Sequence, residues 1–468
     1  LPQQRGGHGS RGAAGQATLA FYAERHLQTI PTRGPLAANT VAGTIGGWAQ
    51  ALELSTQQWG GRLPLARLLA DSIFYARDGV PVTLSQQRNT ENKRAELQPV
   101  TGFAERFMPD GQVPLAGRLF KQTRLANTLE QLTRRGLDDF YRGELAQSMA
   151  EDLRAIGSPL QRTDLEHYRA KQVTPLQLSH RLGTLYNMTP PTQGVVSLAI
   201  LGILDRLGIS SMQADSVEHI HAVVEATKLA FLELRDKYIT DPAYMQCDAQ
   251  SLLEDAALQA LGARVDPHQA RPWGSKTQPG DTIWMGVIDN EGRAVSFIQS
   301  IYHEFGAGIV LPGSHVNWQN RGCSFSLNPA HVNVLHPGKK PFHTLNPALA
   351  RFHDGRVMVY GTMGGDGQPQ TQAAVFTRYA EFQQPVQQAV TAPRWLLGRT
   401  WGSASETLKL ESRFSSVVIE ALRARGHDVE VLGDFEETMG HAGALVRHPD
   451  GVLEGGFDPR GDGAVAGF

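Results

Sequence analysis

Apolar residues recur at helical spacing from Leu65 to Ala76, with Pro64 just ahead as a tolerated opener, and predict a helix there. The same spacing predicts helices over 145–156, stopped by Gly157-Ser158-Pro159, over 195–207 after a Pro-Pro turn, and over 217–238. Thr163-Asp164-Leu165-Glu166 has the make-up of a helix start. Helical signals therefore dominate from Asn39 to about Leu232. They fade over 246–280, a polar stretch with Pro267, Pro272 and Pro279 that reads as an exposed connection suited to processing.

Beyond that connection the period changes. Gly280-Asp281-Thr282-Ile283-Trp284-Met285-Gly286-Val287-Ile288 passes from a polar loop into an apolar strand that opens with a threonine. Asp289-Asn290-Glu291-Gly292 predicts a hairpin turn into a second strand over 293–302. A strand over 356–360 feeds Gly361-Thr362-Met363-Gly364-Gly365-Asp366-Gly367. Helices are expected over 371–382 and 412–425, and short strands around Val429, 444–446 and 452–454. Periodicity alone supports a mixed α and β fold.

At 468 residues the chain can bury a large core, and 44 basic against 46 acidic residues give a formal charge of −2. That balance favours neither nucleic acid nor an anionic membrane, and no stretch approaches the ~20 apolar residues of a membrane span. Two cysteines, Cys247 and Cys323, rule out a disulfide framework and fit a reducing, cytoplasmic setting. Each reads better as an inert buried thiol than as a reactive one.

Thr282 and the downstream glycine loop supply the candidate chemistry. A threonine at a loop-to-strand junction ordinarily just starts a strand. If the bond between Asp281 and Thr282 is cut, however, Thr282 gains a free α-amine beside its hydroxyl. That amine, with an unperturbed pKa of roughly 7.7–8.0, can act as base for its own side chain. Gly364 and Gly365 offer backbone N–H donors that could face a developing oxyanion, or simply form a tight turn. A phosphate loop is disfavoured because no Gly-Lys-Ser/Thr follows.

These pieces occur in an ordered set. Residues 282–325, Phe342-His343-Thr344-Leu345-Asn346-Pro347 and 361–370 resemble the γ-glutamyltranspeptidase family of N-terminal-nucleophile hydrolases. Upstream, Leu63 to Leu69, Arg77-Asp78-Gly79-Val80-Pro81-Val82, Phe140-Tyr141-Arg142-Gly143, Pro190-Pro191-Thr192-Gln193-Gly194, 225–231 and Asp241-Pro242 match as well. Asp458-Pro459-Arg460 matches the closing strand of the family's small subunit. The resemblance implies an α+β, four-layer α-β-β-α sandwich. It also implies a self-cleaved pair of fragments, 1–281 and 282–468, intertwined as one structural unit, and no cofactor or metal. The family carries a further helix and Gly-rich strand ahead of this region. Residues 1–15 lack the apolar core of a signal peptide. The opening is therefore expected to be either divergent or a fragment's.

Residue by residue, the resemblance makes Thr282 the nucleophile and Ser300 the second hydroxyl that hydrogen-bonds it. Gly364 and Gly365 become the oxyanion hole, and Arg11 the grip on a substrate carboxylate. His343 and Thr344 occupy the place of a serine pair beside the substrate; His343 could equally be a structural histidine. The departures lie in the substrate loop. Asn320 is retained, but Tyr302, Arg321 and Ser324 stand where the family holds a glutamyl group with Asn, Gln and Asp. Ser324 removes the anion that would pair with an α-ammonium, and Arg321 adds a planar cation suited to a carboxylate. With Trp284 and Tyr302 narrowing the pocket, the pattern looks like the oxamate-cleaving branch and ranks above γ-glutamyl transfer. A catalytically silent binding relative is a third class. His219 and His221, near Glu218 and Glu225, sit two apart on a helix and read as solvated rather than metal-binding.

Overall fold

The computed structural model describes residues 6–8, 12–274, 280–399 and 405–468. Arg11, expected to grip substrate, lies outside the described residues. The chain forms two compact units: Thr174–Ser300 with Phe342–Phe468, and Arg5–Val173 with Ile301–Pro341. Each draws on sequence from both sides of Thr282.

The first unit is built on strands β1 (Leu176–His180), β2 (Gly183–Asn187), β3 (Asp281–Ile288), β4 (Ala294–Tyr302), β5 (Ala348–Phe352), β6 (Val357–Thr362), β7 (Ala442–Arg447) and β8 (Leu453–Phe457). Six make one antiparallel sheet in the order β8-β7-β6-β5-β2-β1, while β3 and β4 form a separate two-stranded sheet. The run Val357-Met358-Val359-Tyr360 is apolar without alternation because both faces of β6 are covered. Met358 and Tyr360 enter the large core with helices α1 (Gly194–Arg206), α2 (Val217–Leu229), α3 (Asp255–Gly262), α4 (Gln368–Phe376) and α5 (Val386–Thr391). Val359, on the opposite face, packs with Trp284 and Ile298 of the hairpin. Helices, sheet and hairpin thus stack as layers of an α+β fold.

Trp284 sets the spacing of the two sheets. It is 8 % exposed, and its Nε1 donates to Ser296 Oγ at 3.0 Å. A Cβ on Gly361 or Gly443 would collide with its ring, so glycines in β6 and β7 admit the indole against bare backbone. This corrects the expectation that Trp284 narrows a substrate pocket: its indole fills the inter-sheet core. Alternation then places Thr282 on the same inner face, while Ile283, Met285 and Val287 point outward and are exposed.

The second unit is mainly helical, with long helices at Thr44–Trp59, Leu65–Asp78, Leu84–Leu97, Thr123–Arg135 and Glu144–Ala155. Tyr22, Tyr141, Met149, Trp318 and Phe325 anchor its core.

Several boundaries moved for identifiable reasons. The helix expected to start near Thr163 spans Arg162–His167, because Gln161 and Asp164 form a capping box that starts two residues earlier. The helix expected over 371–382 begins at Gln368, with Pro369 in its first turn, and ends as a π-helix over Thr377–Glu381. Residues 217–238 likewise pass from α2 into a π-helix at Ala230–Arg235. The supposed exposed connection contains α3, whose Leu258 and Leu261 are buried. Asp458 lies just past β8 rather than in it. No helix among the described residues is long and apolar enough to cross a membrane.

Candidate active site

Thr282 is the second residue of β3 and is half-buried. At the hairpin turn Asp289 N–H donates to Arg293 C=O at 3.1 Å. The two strands that this turn joins pair as a two-stranded sheet, and Ser300 lies on the strand beside the one that carries Thr282. Ser300 also shares the inward face of β4 with Ile298. Gln368, the first residue of α4, points its Nε2 at Thr282 Oγ1, 3.5 Å away. That contact brings the nucleophile candidate to the end of the glycine loop, which lies between β6 and α4.

The loop's backbone is unusual in the way an N–H cradle needs. Gly364 has φ 116° and Gly365 φ 55°, left-handed values that a side chain would resist. Gly367 N–H closes the turn onto Gly364 C=O at 2.8 Å, and Gln193 Nε2 donates to Gly365 C=O at 3.0 Å. With the Gly365 carbonyl committed to Gln193, that peptide plane is fixed. Asp366 is buried against Arg235, Oδ2 to Nη1 3.1 Å. Gly440 Cα lies against Gly364, 3.8 Å from where a Cβ would be.

His343 and Thr344 are both buried in this unit. His343 N–H donates to Pro191 C=O at 3.0 Å and His343 bridges Thr192, which ties the segment to the Pro-Pro turn. Thr344 Oγ1 has no hydrogen-bond partner among the described residues. Asn346 is held through Ser197 and Gln372, with Nδ2 to Ser197 Oγ 2.6 Å and Gln372 Nε2 to Asn346 C=O 2.6 Å.

The remaining candidates lie in the second unit and cluster there. Arg321 is 5 % exposed and stacks its guanidinium 3.6 Å over the Tyr302 ring. Tyr302 itself holds φ 82°, a costly conformation for a bulky residue. Asn320 accepts from His303 N–H at 3.1 Å and donates to Thr32 C=O at 2.8 Å, so its amide braces the loop. Burial, reinforced by the charges of Arg33 and Arg321, lowers the His303 pKa to about 3 and keeps that ring neutral. Ser324 closes the short helix Arg321–Ser324 and is half-exposed.

The expected solvated histidines are not solvated: His219 and His221 are 0 % and 1 % exposed. The α2 helix is covered all round, and partners distant in sequence satisfy both rings. His219 Nε2 meets Thr377 Oγ1 at 3.1 Å, and His221 meets His427 at 2.9 Å and Asp266 C=O at 2.7 Å. His221, Glu225 and His427 have metal-like proximity, but Glu225 is already bonded to Lys228 Nζ at 2.8 Å and Arg271 N–H at 3.0 Å. In a second cluster, of His180, Asp205 and Glu381, His180 Nδ1 accepts from Leu182 N–H at 3.2 Å. The Nε2 of a neutral His180 therefore carries the proton and is no ligand. Both cysteines are part-buried; burial raises their pKa values, that of Cys323 to about 12, which leaves them unreactive.

Gln193, Asp366 and Gln368 lie in segments that match the family, and their supporting roles emerge only in the fold. Their only local signal is an amide or carboxylate near a glycine turn, which spacing cannot distinguish from a loop residue.

The family description Gamma-glutamyltranspeptidase fits residues 8–468. The chain is 58% identical over 98% of its length to the oxamate amidohydrolase proenzyme of Klebsiella pneumoniae, covering 86% of that protein. It is 40% identical over 94% of its length to the glutathione hydrolase-like YwrD proenzyme of Bacillus subtilis, covering 82% of it. Among solved structures, cephalosporin acylase from Bacillus halodurans superposes with TM-score 0.88 at 33% identity, over 99% of this chain and 84% of the acylase. With the strand that carries Thr282, the glycine loop and the layered sheets in place, the chain belongs to the γ-glutamyltranspeptidase family and is an amide-cleaving enzyme of the N-terminal-nucleophile type.

Proposed function

We propose that the chain cuts itself between Asp281 and Thr282 and that the freed Thr282 hydrolyses the primary amide of a small carboxylate such as oxamate, giving oxalate and ammonia. The observation that carries this reading is the 58% identity to an oxamate amidohydrolase proenzyme, in a chain whose Thr282 hydroxyl lies against Gln368 beside the glycine loop. In this mechanism Thr282 Oγ1 attacks the amide carbon while its α-amine takes the hydroxyl proton. The N–H groups of Gly364 and Gly365 hold the oxyanion, and Ser300 steadies the nucleophile. The α-amine passes the proton to the leaving nitrogen, ammonia departs, and water then hydrolyses the acyl-threonine ester. Arg321, stacked on Tyr302, supplies the cation for the substrate carboxylate; Arg11 is a second candidate for that role. Asn320 keeps the loop in place, and Thr344 and His343 are proposed to border the substrate.

A glutathione hydrolase is the second reading, favoured by the 40% identity to a relative named for that activity. Substrate preference separates the two. Ser324 offers no charge to an α-ammonium, so kcat/KM for oxamate should exceed that for glutathione by roughly 100-fold or more. Arg321→Gln should lower oxamate turnover, and Ser324→Asp should narrow the gap. Faster turnover of γ-glutamyl compounds by the unaltered protein would replace the oxamate reading with the other.

The amine base has its own signature. Only the neutral amine accepts a proton, so kcat/KM should fall about tenfold per pH unit below the amine pKa, ordinarily roughly 7.7–8.0. A flat profile from about pH 5 to 9, spanning that value, would remove the amine from the mechanism. Measuring His343→Ala in parallel separates any contribution of that ring.

A further inference from the structure

Gln368 reaches Thr282 Oγ1 through its side-chain amide, and its geometry holds more than a positioning contact. The side chain is fully buried. Its Nε2 faces the nucleophile, while Oε1 has no hydrogen-bond partner among the described residues. A buried carbonyl oxygen is ordinarily paired, because desolvating it without a donor is costly. The two ends of one carboxamide lie close together, so this acceptor sits within a few ångströms of the atom that attacks the substrate. Its place is fixed as well: Gln368 follows the Gly364–Gly367 turn directly, and Pro369 in the first turn of α4 limits backbone rearrangement.

A donor brought by the substrate would complete this arrangement. When Thr282 Oγ1 closes on an amide carbon, the amide nitrogen is the neighbouring substrate atom that carries hydrogens. We propose that Gln368 Oε1 accepts an N–H of the scissile amide, making Gln368 the residue that selects an amide over an ester in acylation. This inference rests on the amidohydrolase reading above. Gln368 exchanges no electrons: Oγ1 bonds to the carbonyl carbon, the C–N bond breaks, and the hydroxyl proton reaches the nitrogen through the α-amine. The amide hydrogen bound to Gln368 stays on nitrogen and leaves with ammonia.

Oxamate and monomethyl oxalate test this because they share one acid and form the same acyl-threonine. They differ only in the leaving group, which carries N–H in oxamate and none in the ester. Any effect of a substitution on folding, the oxyanion hole or the nucleophile's own activation therefore weighs on both substrates. An effect on the leaving nitrogen weighs on oxamate alone. In Gln368→Met, kcat/KM for oxamate should fall about 10- to 100-fold more than for monomethyl oxalate, the range a lost substrate hydrogen bond spans. Gln368→Asn keeps the carboxamide and should recover part of that difference; it also serves if the methionine variant does not mature, as read by intact mass. Equal losses on both substrates in either variant would overturn the proposal and leave the amidohydrolase reading standing. Failure of both variants to self-cleave would assign Gln368 to maturation instead and overturn it as well. An unaltered protein that cleaves neither compound would sink the underlying reading, and this inference with it.

Discussion

Thr282→Ala is expected to remain a single 468-residue chain and to lose amide hydrolysis altogether. In the proposed mechanism two separate steps need the same hydroxyl. In maturation it attacks the Asp281 carbonyl and passes through an ester, and in catalysis it attacks the substrate. Alanine supplies neither, and no other hydroxyl occupies that position in β3. Removing an enzyme nucleophile costs on the order of 10⁶-fold in kcat in well-studied hydrolases, so residual turnover should vanish into background. Thr282→Ser keeps the oxygen and should mature and work, more slowly. Intact-mass analysis reads the cleavage directly: two fragments for the unaltered protein and for Thr282→Ser, one for Thr282→Ala. An alanine variant that still splits before residue 282, or still hydrolyses oxamate, would remove Thr282 from the mechanism. So would an unaltered protein that stays whole under all conditions.

The strand carrying Thr282 was legible because the apolar run after Asp281 and the turn at Asp289 to Gly292 are local signals. The turn conformation, with Gly292 at φ 83°, is the one those residue types favour. The glycine loop was legible for the same reason. Two strands at one side of the six-stranded sheet were not. Leu176–His180 and Gly183–Asn187 do alternate buried and less buried residues, but each is only five residues long and lies within a helix-rich half. A five-residue alternation carries little weight until its neighbours are known; here β2 finds β5 more than a hundred and fifty residues away. His219 and His221 failed as solvated residues for a related reason. The helix that bears them is buried by elements late in the chain, and Thr377, Asp266 and His427 supply the hydrogen bonds that make such burial tolerable. Trp284 shows the opposite limit. Its position two residues from Thr282 invited a place in the pocket, whereas the glycines that receive it, Gly361 and Gly443, become its neighbours only through sheet pairing.

The largest stability effect is expected at Asp458, where the closing Asp-Pro-Arg segment meets the support of the glycine loop. Asp458 Oδ2 takes Arg394 Nη1 at 2.6 Å and Ala442 N–H at 2.8 Å; Oδ1 takes Arg460 Nη1 at 2.9 Å and Arg460 N–H at 3.0 Å. All three charged side chains are fully buried. Burial pushes the Asp458 carboxyl up, but Arg394, Arg460 and the two backbone donors outweigh it, and the net pKa lies below the usual value. A depressed carboxylate stabilises the fold above its unfolded pKa, and that contribution is lost as pH falls through the folded value. Arg394 Nη1 also donates to Gly440 C=O at 2.9 Å, so the pair fixes the residue against which Gly364 rests. Asp458→Ala strips the carboxylate and leaves Arg394 buried with carbonyl partners alone, a change that costs about 3–5 kcal/mol in comparable buried pairs. Against a total stability of roughly 5–15 kcal/mol, that is a large share. The exposed pair Arg423–Glu420 is the control: Glu420→Gln should change stability by less than about 1 kcal/mol. Urea midpoints and thermal midpoints for the two variants, measured side by side on matured protein, decide the matter. Asp458→Ala shifting no further than Glu420→Gln would mean that the buried network is incidental to holding the glycine loop and its sheet together.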